Sequence, residues 1–170
     1  MDKFLKNLQI SNYKIVRIDE NMLDDVLSLC KKNIVYYEKY LQEPATLEDV
    51  KSIITELPPN TDKKQKYALG IYENSELIAI LDIVLGYPEK QTAFIGLFMV
   101  DTQKQNKGVG TLIISNVLQA FKNLNFQKCS LGVITKNQPA IKFWQKHKFN
   151  LTAKISTHEK YDIVFMERNL

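Results

Sequence analysis

Leu23, Val26, Leu27 and Cys30 fall at helical spacing, as do Leu47, Val50, Ile53, Ile54 and Leu57, and again Leu112, Ile113, Val117, Ala120, Phe121 and Leu124. Between these amphipathic runs lie shorter apolar stretches: Tyr13–Ile18, Tyr67–Tyr72, Leu77–Leu85, Gln91–Val100, Lys128–Ile134, Phe149–Ser156 and Tyr161–Arg168. They read as strands, and Thr92–Val100 is apolar enough to be a buried one. Polar residues set the edges. Asn21 is placed to cap the first amphipathic helix, which runs to about Asn33, and Ile34–Leu41 bends or restarts it. Thr46, with Asp49 three residues on, opens the second helix, and Pro58-Pro59 stops it. Glu73-Asn74-Ser75-Glu76 and Gly86-Tyr87-Pro88-Glu89-Lys90 turn the chain between antiparallel neighbours. The segment to about Ser11 is a short helix or a frayed arm.

The order is β-α-α-β-β-β-α-β-α-β-β, an α/β chain with a mixed sheet and about four helices. No repeat, linker or low-complexity run divides it, so 1–170 is expected to be one domain. Its 170 residues suit one full core, and 45% hydrophobic with 25% charged residues is ordinary for a globular protein. No run reaches the roughly 18 apolar residues of a membrane span, and Lys6, Asn7 and Gln9 break any signal-peptide core. Cys30 and Cys129 stand apart in apolar settings, as buried reduced thiols would. These features point to a cytoplasmic protein without a metal site. The net charge of +4 is mild. The one dense basic run, Lys63-Lys64-Gln65-Lys66, reads as a solvated loop rather than a nucleic-acid patch. Membrane and nucleic-acid partners are therefore not expected, and a monomer or a homodimer remains open.

The chemistry concentrates in Gln105-Asn106-Lys107-Gly108-Val109-Gly110, between a strand and a helix. Two glycines there make either a tight turn or a cradle whose backbone N–H groups, with the helix N-terminus, hold a phosphate. The spacing is not that of a P-loop, because Gly108 is followed by Val109 rather than Lys-Ser/Thr. Nor is it a dinucleotide fingerprint, because Ile113 stands where the third glycine belongs. It does fit Gln/Arg-x-x-Gly-x-Gly/Ala. Downstream, Asn137-Gln138-Pro139-Ala140-Ile141-Lys142-Phe143-Trp144 fits Asn-x-x-Ala-x-x-Phe-Tyr/Trp. In these two spaced motifs the chain resembles the GCN5-related N-acetyltransferase (GNAT) superfamily, closely over Phe94 to Phe149 and elsewhere by element order.

The resemblance implies a mostly antiparallel sheet whose fourth and fifth strands splay apart around acetyl-CoA. It implies that the pantetheine arm pairs with the backbone of Phe98, Met99 and Val100, with an oxyanion donor near Val100. The pyrophosphate would rest on the amides of Gln105, Asn106, Lys107, Gly108, Val109, Gly110 and Thr111. Asn137, Ala140 and Phe143 would flank the arm. A neutral amine would attack the thioester directly, which needs a base for the amine and donors for the thioester oxygen.

This chain departs from the family pattern in three places. Trp144 stands where many members carry the Tyr proposed as general acid; indole does not donate a proton to a thiolate, so Trp144 is a wall of the thioester pocket or core. Phe94-Ile95-Gly96-Leu97 lacks the acid many members carry on the fourth strand. His147 and Lys148 replace the usual Leu and Gly, so the helix is expected to end without the left-handed glycine. Asp82, in an otherwise apolar strand, is either a partnered structural carboxylate or the substitute base. Glu38 is a solvated helix acid or a second catalytic candidate, placed to bind or deprotonate the amine. Tyr36, Tyr37 and Tyr87 are candidates for the acceptor pocket. The expected activity is acetylation of a primary amine on a small molecule. The alternatives are an acyl-CoA-binding module without turnover and a nucleotide-binding protein.

Overall fold

Seven strands are formed among the described residues: β1 (Lys14–Arg17), β2 (Lys66–Glu73), β3 (Glu76–Leu85), β4 (Thr92–Val100), β5 (Lys128–Ile134), β6 (Asn150–Thr157) and β7 (Asp162–Asn169). The helices are α1 (Lys3–Asn7), α2 (Leu23–Lys32), α3 (Leu47–Thr55), α4 (Val109–Asn123) and α5 (Gln138–Lys146), with a π-helix over Val35–Leu41. The computed structural model describes residues 2–170; Met1, the first residue of the expected arm, lies outside the described residues. The strands form one sheet in the order β1-β2-β3-β4-β5-β7-β6. All neighbours are antiparallel except β4 and β5, whose parallel pairing requires a crossover that α4 provides.

Both faces of the central strands are covered, which is why β2 and β3 read as unbroken apolar runs. Leu69, Ile71, Leu81 and Ile83 pack under α1, α4 and α5, while Ala68, Ile80 and Met99 pack under α2 and α3. The N-terminal segment is a docked helix rather than a frayed arm. Phe4, 1% exposed, stacks on Phe121 at 5.6 Å, and Asp2 caps the helix while pairing with Arg17 at 2.7 Å. That helix and the π-helix raise the helical inventory above the expected four.

Several local expectations are corrected. Asp19, not Asn21, supplies the cap, and it caps a short 3₁₀ turn (Glu20–Met22) that leads into α2. Ile34–Leu41 continues as a π-helix, closed by Gln42 in the left-handed region at φ 63°. α3 does begin at the Thr46–Asp49 capping box but ends at Thr55, ahead of Leu57, because a residue before proline is driven out of helical geometry. Lys66 is not part of a solvated loop: it starts β2 and is only 7% exposed.

α5 ends without the usual glycine, as expected, yet it keeps the left-handed geometry at that position. Lys148 itself takes φ 64°. Its N–H donates to the Gln145 carbonyl, the Phe149 N–H donates to the Trp144 carbonyl, and the Trp144 and Phe149 rings meet at 5.2 Å. This double closure with its apolar contact holds a side chain where glycine is preferred. Lys148→Gly is therefore expected to stabilise the fold by about 0.5–1 kcal/mol, since relief of the left-handed strain exceeds the added chain entropy. A higher midpoint with unchanged slope in urea unfolding would show it.

Candidate active site

Pairing of β4 with β5 runs from Thr92↔Lys128 to Ile95↔Leu131 and stops. The next residue, Gly96, is a bulge: Asp82 pairs with Leu97 and Ile83 with Ile95, leaving Gly96 without a partner on β3. A bulge increases local twist, and beyond this one the strands part around a cleft of about 290 Å³.

One face of the cleft is built from β4, β5 and α5. The Asp101 N–H donates to Ile78 on β3 at 2.8 Å. Strand alternation then turns the N–H and C=O of Phe98, and the N–H of Val100, away from β3 and into the opening. Met99 differs: its side chain is buried in the opposite core, and its backbone faces Ile80 of β3. Of the three β4 residues, only Phe98 and Val100 thus present backbone groups. The Val100 carbonyl is held by Gln105 Nε2 at 2.9 Å and by Asn33 Nδ2 at 3.3 Å, and Gln105 Nε2 also meets Asn33 Oδ1 at 2.9 Å. The Gln105 side chain therefore locks the strand end to the C-terminus of α2. Asn33, which the sequence did not single out, completes this lock.

The loop itself turns through Asn106 at φ 58° and Gly108 at φ 82°, so α4 starts at Val109, two residues earlier than expected. α1, α3 and α5 are capped by Asp2, Thr46 and Asn137 side chains; α4 has no side-chain cap and no acid in its first turn. Its first N–H groups, those of Val109, Gly110 and Thr111, have no intrahelical acceptor and stay free for an anion. Lys107 is exposed beside them. A Cβ at Gly110 would lie 3.4 Å from Phe143 and 3.7 Å from Phe98. Phe143 therefore packs against the start of α4 instead of lining the cleft. Asn137 Oδ1 accepts from the Ala140 N–H at 3.2 Å, and both residues line the cleft with Trp144. Trp144 is only 7% exposed and contacts Phe98, Phe143 and Phe149, so it is wall and core together.

The opposite face is organised by two glycines. A Cβ at Gly96 would lie 2.7 Å from Asp82 Oδ2, and a Cβ at Gly132 would lie 2.7 Å from Ile163 Cγ2. Gly132 lets Ile163 of the neighbouring strand into the cleft lining, and Gly96 lets the Asp82 carboxylate pack directly behind the wall. Asp82 does not line the cleft itself. Its Oδ1 accepts from Lys66 Nζ at 2.8 Å, and its Oδ2 abuts Gly96, which does line it. Burial lifts the Asp82 carboxyl above its ordinary value, outweighing the opposing pull of Lys66.

Among the tyrosines, Tyr36 reaches the cleft from the π-helix, facing Tyr161. Burial, then Tyr161, pushes its phenol up to about 12. Tyr37 turns into the α2–α3 core beside Cys30 and is not a pocket residue. Glu38 is exposed, outside the cleft lining. Tyr87 packs edge-on against Phe94 at 5.4 Å, one layer behind the cleft wall. Sequence reasoning missed Lys66, Gly96, Gly132, Ile163 and Phe165. The two glycines carried a readable signal, because glycine inside a strand marks a bulge or a close approach.

A sheet splayed at a parallel β4–β5 pair, with an uncapped glycine turn at the crossover helix, defines an acyl-CoA N-acyltransferase fold. The chain belongs to the acetyltransferase (GNAT) family, whose model matches residues 31–149. It is similar to the "Probable N-acetyltransferase YjcK" of Bacillus subtilis, 26% identical over 155 residues, covering 85% of this chain and 81% of that protein. Among solved structures it superposes on an acetyltransferase from Thermus thermophilus with a TM-score of 0.75 at 18% identity, covering 95% of this chain and 99% of the other. The PaiA N-acetyltransferase of Thermoplasma acidophilum, solved in complex with coenzyme A, superposes with a TM-score of 0.66 at 17% identity, covering 93% and 99%. Among the described residues no group of three or more His, Cys, Asp or Glu is gathered for a metal ion. No helix among them is long and apolar enough to cross a membrane.

Proposed function

We propose that this chain is an acetyl-CoA-dependent N-acetyltransferase whose acceptor is a primary amine on a small molecule. The observation that carries this reading is the two-faced cleft. Free backbone groups of Phe98 and Val100 and the uncapped turn of α4 lie along one face, and behind Gly96 of the other the Asp82 carboxylate is packed. The residues present fit the cofactor: strand-edge groups suit an amide-bearing pantetheine arm, and helix N–H groups suit a pyrophosphate. The neighbour solved with coenzyme A supports the same fit.

Bound acetyl-CoA would supply a thioester whose acetyl carbon forms the new N–C bond as its C–S bond breaks; coenzyme A would leave as the thiolate and take up, through water, the second proton that the nitrogen sheds. The Val100 N–H donates to the thioester oxygen as charge builds there. Asp82 accepts the proton that the ammonium must lose, through Oδ2 across Gly96, and Lys66 holds Oδ1 in place. Trp144 excludes water from the thioester side. Because the Asp82 carboxyl lies above its ordinary value, kcat/KM is expected to rise with pH as it ionises.

Calorimetric titration with acetyl-CoA, with ATP and NAD as controls, tests the cofactor assignment. Micromolar binding of acetyl-CoA alone is expected, followed by amine-dependent release of the CoA thiol. A second reading, an acyl-CoA-binding module, is favoured by Trp144 at the usual acid position; binding without thiol release would select it. Equal binding of ATP or NAD would instead point to a nucleotide site.

A further inference from the structure

Among the described residues, no charged side chain lines the cleft. On the acceptor face, Leu97 of β4 lies with Ile163 and Phe165 of β7, and Tyr36 and Leu41 of the π-helix complete the lining. Asp82, whose Oδ2 abuts the lining residue Gly96, is matched one-for-one by Lys66, and the pair is largely buried at 15% and 7% exposure. A polycation entering here would find one neutralised carboxylate behind Gly96 and largely apolar walls around it. Its second charge would lose hydration with no carboxylate among the described lining residues to replace it. An apolar body gains from the same walls.

The roof adds a limit on shape. Gln42 Nε2 donates to the Lys160 carbonyl at 2.9 Å, and Lys160 Nζ pairs with Glu43. These contacts tie the end of the π-helix to the β6–β7 turn, beside Leu41 and Tyr161 of the cleft. The roof is thus a bridge, where an extended peptide would need an open groove.

We propose that, granted the acetyltransferase reading above, the acceptor is a monoamine with an uncharged apolar body, aromatic or branched aliphatic. The body sits among Tyr36, Leu97, Ile163 and Phe165, with its nitrogen toward Gly96. Specificity comes from the absence of any second carboxylate among the described lining residues and from Ile163 covering Gly132 at the throat.

The test measures CoA thiol release by the wild-type protein at saturating acetyl-CoA. The panel is phenylethylamine, isoamylamine, spermidine, an aminoglycoside and a short peptide with a free N-terminus. The kcat/KM for phenylethylamine is expected to exceed that for spermidine by at least about 30-fold, because the polyamine must desolvate a second cation. Leu97→Glu, which sets a carboxylate on the wall, should shrink or invert that ratio. Spermidine, the aminoglycoside or the peptide turning over as well as phenylethylamine would overturn the inference and leave acetyl transfer standing. Bound acetyl-CoA with no turnover of any amine would overturn it in favour of the binding module. Absence of acetyl-CoA binding would remove the acetyltransferase reading as well.

Discussion

Asp82→Asn is expected to lower kcat/KM for an amine acceptor by about 10²–10³, with acetyl-CoA affinity little changed, because it removes a general base and nothing that touches the cofactor. The substitution keeps an oxygen for Lys66 but leaves that ammonium, only 7% exposed, without a counter-charge. Folding stability should therefore fall as well, by about 3–5 kcal/mol at the extreme. The double variant Lys66→Met, Asp82→Asn separates the two effects. It removes the orphaned charge, so stability should recover while the rate does not. A rate that recovers with stability would make Asp82 a structural carboxylate only.

The single variant Lys66→Met reads the same pair through pH. Lys66 lowers the Asp82 pKa against burial, so its removal raises that pKa, and the acid limb of the pH–rate profile should move to higher pH. Stability follows the same proton. The native state holds the Asp82 proton longer than the unfolded chain does. Stability contributed by this group therefore falls as pH rises from the usual carboxylate value through the raised one.

Gly108→Glu is expected to weaken coenzyme A binding by about a hundredfold, roughly 3 kcal/mol, by setting a carboxylate within a few ångströms of the pyrophosphate position. Gly108→Ala is the informative companion. A Cβ at 108 meets nothing within 4 Å, so the methyl group obstructs no neighbour. Its cost is the left-handed backbone at φ 82°, about 1–2 kcal/mol of stability. The alanine variant should melt lower yet bind far better than the glutamate variant. Equal affinity for both, with each folded, would show that the turn holds no anion.

Much of the frame was written locally. The helical spacing of Ile113, Val117 and Phe121, the Thr46–Asp49 capping box and the Asn137 cap each depend on residues a few positions apart, so periodicity and capping chemistry reveal them. The glycine turn before α4 is local in the same sense. Lys66 could not be read this way. Its neighbours Lys63 and Lys64 are solvated, and only β2–β3 pairing carries Lys66 into the sheet near Asp82. Tyr36 and Tyr37 illustrate the limit further. Adjacent tyrosines in a π-helix point one to the cleft and one to the core, and a 3.6-residue period does not describe that turn.

Short-range pattern was thus enough for most of the element order and for the glycine turn before α4, and the two spaced motifs carried the resemblance to the family. They were not enough for the groups that meet at the cleft wall, which depend on the folded sheet. Asp82 packs against the back of the cleft wall because Gly96 bulges on the neighbouring strand, and Ile163 enters the lining because Gly132 leaves room. Those approaches are set by strand register across residues far apart in the chain, and register is a property of the assembled sheet.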